Sequence, residues 1–253
     1  MLTKLQVQMN SVGDPGMFAL AGVLSAMEKC EVLNLSYNKI SDSSMLSLYK
    51  VLSAGAMPSL TNLFLESNRI TDDGFAILFP LFGKDGKLSG LTAFGIGSGI
   101  TDKGMEDFSE LFATGAMAHC HTLYLSGNQI GDAGMEAFAT ACAGGGMPQC
   151  QALNLSSNSI GSQGIEAFSE ALSTGALPLL KKLWLNGNEL SDAGVEALAS
   201  AGKSGALQRL EILELYHNTF GDFGMQAFAR ALLVRRRKPA TLEGLRALEE
   251  EVA

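Results

Sequence analysis

The feature that most restricts how this chain can fold is a phrase it writes repeatedly. "LYLSGNQIGDAGMEAF" occupies residues 123–138, "LNLSSNSIGSQGIEAF" residues 153–168 and "LWLNGNELSDAGVEAL" residues 183–198. The shared unit is L-x-x-L-x-L-x-x-N-x-[IL], with Asn10, Asn38, Asn68, Asn128, Asn158, Asn188 and Asn218 at its asparagine. From Asn128 onward the spacing is thirty residues, and the sixty residues between Asn68 and Asn128 hold one more unit. That unit, "LTAFGIGSGITDKGMEDF" (91–108), keeps Leu91, Phe94 and Ile96 in phase but is one residue short and has no asparagine. A period in this range marks a repeat array, in which a unit too thin to bury its own apolar stripe gains a core by stacking. Eight units of about 30 residues are expected.

Each part of the unit has a physical reading. The pairs Leu63/Leu65, Leu123/Leu125 and Leu183/Leu185 alternate with other residues, the period of a strand with one buried face. The asparagine ends the strand, and stacking would align its amides in a row inside the turn, where they satisfy backbone groups no ladder reaches. Asp42, Asp72, Asp102, Asp132, Asp192 and Asp222, with Ser162 in the same phase, are expected as helix N-caps. Apolar residues then follow at helical spacing, as in Met135, Phe138 and Cys142, or Val195 and Leu198. Gly55, Gly86, Gly115, Gly145, Gly175 and Gly205 are expected to close the helices. Strands lie about 4.8 Å apart and helices are about 10 Å thick, so the stack must curve with its helices outside. The sheet then lines a concave wall roughly 35 Å long.

The "N-x-I-x-D-x-G-[MIV]-x-x-[FL]" phrase, with a helix in every unit, resembles the leucine-rich repeat superfamily, and within it the ribonuclease-inhibitor-like class. The resemblance covers residues 2 to about 235. It implies an α/β solenoid: a horseshoe arc with a parallel β-sheet on the concave face and α-helices on the convex face. It says little of function, because members of the superfamily include inhibitors, innate sensors, GTPase regulators and scaffolds.

Residues 1–235 are read as the array, and 236–253 as a C-terminal amphipathic capping helix with Thr241 as N-cap and Leu242, Leu245 and Leu248 on one face. Such a cap would cover the last coil's apolar end. "RRRK" (235–238) reads as a solvated helix end, where cations suit the dipole. No cap is expected before the first strand, so either the chain is a fragment or a partner covers that edge.

Composition narrows the function class. A net charge of −8 over 253 residues argues against duplex nucleic acid, which calls for a basic stripe. No apolar run approaches the roughly 18 residues of a membrane helix, so no direct membrane insertion is expected. Four cysteines in a chain this long do not make a disulfide framework. An intracellular setting, foremost the cytoplasm, is expected, with an organelle left open.

The residues flanking each strand's inner leucine should face the concave side. In order they are Gln6, Asn34, Phe64, Gly95, Tyr124, Asn154, Trp184 and Glu214, with Tyr37, Tyr216 and His217 just beyond the strands. Phe64, Tyr124 and Trp184 are large aromatics on an open surface, the material of interface anchors. Asn154, Asn186 and Glu214 are expected to add polar contacts. "AHCHTLYL" sets His119, Cys120 and His121 side by side, but strand alternation sends Cys120 to the core and no fourth ligand has tetrahedral-site spacing, so no metal is expected. "AFGIGSGITDKG" imitates a phosphate loop, yet Ile100 stands where the last glycine belongs, and no nucleotide or other cofactor is expected. Gly95 and Gly97 in that irregular unit should leave room for a ligand or partner loop.

The residues therefore point to a non-enzymatic module that binds a protein partner, as a scaffold or an accessory subunit of a larger complex. The alternative is a regulatory fragment of a larger sensor or GTPase-regulator protein.

Overall fold

The computed structural model describes residues 2–83 and 85–236. Eight parallel strands form one sheet in chain order. They are β1 (Lys4–Gln6), β2 (Val32–Asn34), β3 (Asn62–Leu65), β4 (Ala93–Ile96), β5 (Thr122–Tyr124), β6 (Ala152–Asn154), β7 (Lys182–Trp184) and β8 (Ile212–Glu214). Each is followed by a helix: α1 (Asp14–Ala21), α2 (Asp42–Ser53), α3 (Asp72–Ala76), α4 (Asp102–Glu110), α5 (Asp132–Ala143), α6 (Ser162–Ser173), α7 (Asp192–Ser204) and α8 (Asp222–Arg236). The register aligns Leu5, Leu33, Leu63, Phe94, Leu123, Leu153, Leu183 and Leu213 in one row. From Leu33 to Leu183 that row is fully buried, together with Met45, Met105, Met135, Ile165 and Val195 from the helices. The core therefore lies between the sheet and the helices, and the other face of the sheet is free.

The asparagines form the expected row. Asn158 Nδ2 donates to Leu155 O in its own coil at 3.0 Å and to Leu125 O in the coil before at 2.9 Å. Its Oδ1 accepts from Ile130 N at 3.2 Å. Asn38, Asn68, Asn128, Asn188 and Asn218 repeat this reach into the preceding coil. Each amide thus ties two turns together and serves backbone groups that the three- and four-residue strands cannot.

The aspartates depart from expectation. The N-caps of α2 to α7 are Ser41, Thr71, Thr101, Gly131, Gly161 and Ser191, and the aspartates are the first helical residues. Their carboxylates reach forward to the next coil. Asp102 Oδ1 accepts from Gly131 N at 2.6 Å and Gly134 N at 2.9 Å. Asp132 and Asp192 repeat the pair of bonds to Gly161 and Gly164, and to Gly221 and Gly224. Asp42 and Asp72 instead take the N–H and hydroxyl of Thr71 and Thr101. From α2 to α8 the first N–H groups of each helix or of its cap residue are thus met by the coil before it, by a carboxylate at the positive end of the dipole everywhere except α7, where Ser162 Oγ accepts from Gly194 N at 3.2 Å. The close approach also explains the glycine two residues after the aspartate: a Cβ on Gly134 would lie 2.7 Å from Asp102 Oδ1 and 3.0 Å from Asp102 Cα.

The packing changes where the irregular unit meets the coil before it. α3 is only five residues long and is followed by a 3₁₀ turn at Phe79–Leu81, so Gly86 closes no α-helix. Phenylalanines fill the space: Phe94 packs on Phe82 at 5.0 Å and stacks on Phe75 at 5.9 Å, and Phe75 packs on Phe108 at 5.0 Å. Ser98 takes the missing asparagine's place in the turn, and its hydroxyl donates to the Asn68 carbonyl. The expected capping helix, from 237 on, lies outside the described residues.

Candidate functional site: the open face of the sheet

The free face carries three rows. The middle one is as expected, with Gln6, Asn34, Phe64, Gly95, Tyr124, Asn154, Trp184 and Glu214 aligned across the eight strands. Phe64, Tyr124, Asn154, Trp184 and Glu214 are all half-buried rather than fully open. Two residues further along each strand run Gln8, Ser36, Glu66, Gly97, Ser126, Ser156, Asn186 and Tyr216. Tyr37 and His217 stand in the turns with left-handed backbone, at φ 55° each. Tyr37 and Tyr216 are more than half exposed, and Tyr216 packs edge-on against His217 at 5.3 Å.

The structure gathers some of these residues and separates others. Phe64 and Tyr124 come from strands two apart, about 10 Å in a flat sheet. Their rings nevertheless lean together over Gly95 to a centroid distance of 6.0 Å. With Tyr37 and Asn154 they line a cavity of about 430 Å³. Trp184, Asn186, Glu214, Tyr216 and His217 are not part of that cavity and form the C-terminal half of the face.

The cavity's remaining walls are residues that the sequence reading did not single out: Gln8, Met9, Ser36, Glu66 and Ser126, together with Asn34 from the expected row. Glu66 is the important omission. Its carboxylate lies across β4, where a Cβ on Gly95 would overlap it. The room expected over Gly95 is therefore already taken by a side chain from the neighbouring coil. A Cβ on Gly97 would meet Ser126 O at 2.5 Å, so that glycine opens no space either. Burial pushes the Glu66 carboxyl above its ordinary range, although the Ser36 hydroxyl donates to it. Burial likewise raises the Tyr124 phenol, with the nearby Glu66 charge adding to the shift. The signal available in the sequence was phase: Glu66 follows Phe64 by two, and the next coil has glycine where a side chain would block it.

The histidine–cysteine triplet divides as strand alternation requires. Cys120 is fully buried, its Sγ donates to Thr122 O at 3.2 Å, and burial pushes the thiol up to about 12. Cys30, Cys120, Cys142 and Cys150 are all free and buried. Among the described residues no group of three or more His, Cys, Asp or Glu side chains converges as metal ligands do. No helix among them is long and apolar enough to cross a membrane.

A leucine-rich repeat family model matches residues 1–21, 31–48, 119–139, 151–169 and 176–199, in phase with the coils described above. The chain is a leucine-rich repeat protein. The matched segments of this leucine-rich repeat array each join a strand to the start of its helix. No curated protein matches the chain. Among solved structures it is similar to an internalin (inlF) from Listeria monocytogenes, at 17% identity over 90% of this chain and 85% of that one, with a TM-score of 0.32. An internalin C2 from the same organism gives 17%, 87%, 80% and a TM-score of 0.45. The leiomodin-1 actin-binding site 2 gives 15%, 78%, 92% and 0.39. None of the three superposes closely.

Proposed function

We propose that the open face of the sheet holds a protein partner, and that the chain serves as a scaffold or accessory subunit without catalysis of its own. One observation carries this reading: a rigid sheet presents half-buried Phe64, Tyr124 and Trp184 in a single row beside a formed cavity. Large aromatics held on a rigid support are suited to anchoring an interface, because little conformational freedom is lost when a partner docks. Asn154, Asn186 and Glu214 add polar contacts around them, with Tyr37, Tyr216 and His217 at the rim. The carboxylates that recur along the chain favour a non-enzymatic role, since Asp42, Asp72, Asp102, Asp132 and Asp192 are occupied in joining coils. Four free, buried thiols suit a reducing, intracellular compartment. The helix in every coil favours the ribonuclease-inhibitor-like class.

The test is purification of the tagged chain from its native source, with partners identified by mass spectrometry and compared between the natural chain and Trp184→Ala/Tyr124→Ala. The double variant is expected to keep its far-UV circular dichroism and to lose its partner, because hot-spot aromatics each contribute about 2 kcal/mol or more. Unchanged retention moves the interface to the helical face or to an end of the array.

A further inference from the structure

We propose that the cavity between Phe64, Glu66 and Tyr124 is a socket for one cationic side chain of the partner, the guanidinium of an arginine. The proposal rests on the open-face reading and names the chemistry of the group that enters it. Glu66 is the only charged residue lining the cavity among the described residues; no lysine, arginine or histidine stands there. Its carboxylate is drawn into the sheet over Gly95, and Ser36 Oγ donates to Oε2. A carboxylate so placed has given up hydration, and an entering cation returns the lost stabilisation.

The second acceptor argues for arginine over other cations. Gln8 lines the same cavity, and its Oε1 is buried with no hydrogen-bond partner among the described residues. A guanidinium brings five N–H donors in a planar fork and can serve two acceptors at once, whereas an ammonium is a compact and strongly hydrated point charge. The rings supply the third element. Phe64 and Tyr124, whose rings are tilted by 57° at 6.0 Å, line the same cavity as the carboxylate. Aromatic faces attract a cation within about 6 Å, and arginine more often than lysine fills that role. The chain's net charge of −8 favours encounter with a basic partner.

The device depends on the irregular unit. In an ordinary coil the fourth strand would carry a side chain at position 95 and exclude the Glu66 carboxylate. Glycine at that one position lets the residue that follows β3 reach across β4 towards Tyr124 on β5, so side chains of several coils share one site.

The experiment uses the purified full chain and Nα-acetyl-arginine methylamide, followed through the ring resonances of Phe64 and Tyr124. The matching lysine and citrulline amides run in parallel. The arginine amide is expected to give saturable shifts, the lysine amide weaker ones and the neutral citrulline amide none. Glu66→Gln should lower the arginine affinity roughly tenfold or more. Tyr124→Leu keeps the carboxylate and comparable bulk, and should lower it about threefold or more. It decides the matter on its own where Glu66→Gln fails to reproduce the natural circular dichroism. Citrulline or lysine binding as tightly as arginine overturns the proposal, as does an affinity unchanged in the substituted chains. Partner loss in Trp184→Ala/Tyr124→Ala without arginine binding overturns the socket and leaves the open-face reading standing. Arginine binding with partner retention unchanged does the reverse.

Discussion

Asn158→Ala is the sharpest probe of what joins the coils. The side chain is 9% exposed, and its amide makes bonds in two coils. Removing it does not affect its partners equally. Leu125 O keeps Asn128 Nδ2 at 2.9 Å and Leu155 O keeps Asn188 Nδ2 at 2.9 Å, because each carbonyl accepts from two asparagines of the row. Ile130 N has only Asn158 Oδ1 as its side-chain acceptor among the described residues, and it is buried. Orphaning that N–H costs about 1–3 kcal/mol, and the two lost amide donations add about 0.5–1.5 kcal/mol each, for a total of about 2–6 kcal/mol. Asn158→Asp should cost more, since it keeps the acceptor but sets a buried charge against carbonyl oxygens. Asn10→Ala makes the control: Asn10 is exposed and donates only to Val7 O and Gln8 O of its own coil, so the loss should stay within about 1 kcal/mol. Equilibrium urea unfolding by circular dichroism reads the three variants, and native-state hydrogen exchange at the Ile130 amide locates the effect. A repeat array unfolds through nearest-neighbour coupling, so a smaller m-value in Asn158→Ala marks the array parting at this junction. The reasoning fails if Asn158→Ala lies within about 1 kcal/mol of the natural chain, or if Asn10→Ala is as damaging.

Two further substitutions test the other devices. Gly134→Ala should destabilise by about 1–3 kcal/mol in thermal or urea unfolding, although alanine is the better helix former by about 1 kcal/mol, because the added Cβ meets Asp102; a gain in stability would remove the carboxylate staple from the account. Glu66→Gln should stabilise the chain above acidic pH. The folded carboxyl titrates above its ordinary value of 4.5 because burial disfavours its charge, so the folded state holds more protons than the unfolded state just above that value. Stability of the natural chain therefore falls as pH rises from the unfolded to the folded pKa. The Tyr124 phenol in the same wall is pushed up by burial, away from the acid range. Urea midpoints measured across the acid range should show the variant's advantage growing with pH, and parallel curves for the two chains would refute the assignment.

The architecture was legible because its determinants recur. Leucine alternation fixes strand phase, and the asparagine must serve turn backbone in any stacked coil, so the register of eight strands could be read before any coordinates. The aspartates show where such reading stops. An aspartate ahead of a helical run has the signature of an N-cap, and local sequence contains nothing to say that its carboxylate turns towards the next coil. The hint was the glycine two positions on, which has no local purpose in a helix and is explained only by the approach of Asp102 to Gly134.

The open face was half legible for the same reason. Its middle row follows from strand alternation, but the cavity arises from a side chain that leaves its own column. Glu66 and Gly95 are twenty-nine residues apart, and their meeting depends on the absence of a Cβ at position 95. A regular array would repeat Glu66 as one more solvated residue in a row. The irregular coil gives it a vacant slot to cross and a tyrosine on the far side. The break in the repeat is thus the place where an otherwise uniform surface acquires a distinct chemical site, and it is there that substitutions should separate partner recognition from the integrity of the solenoid.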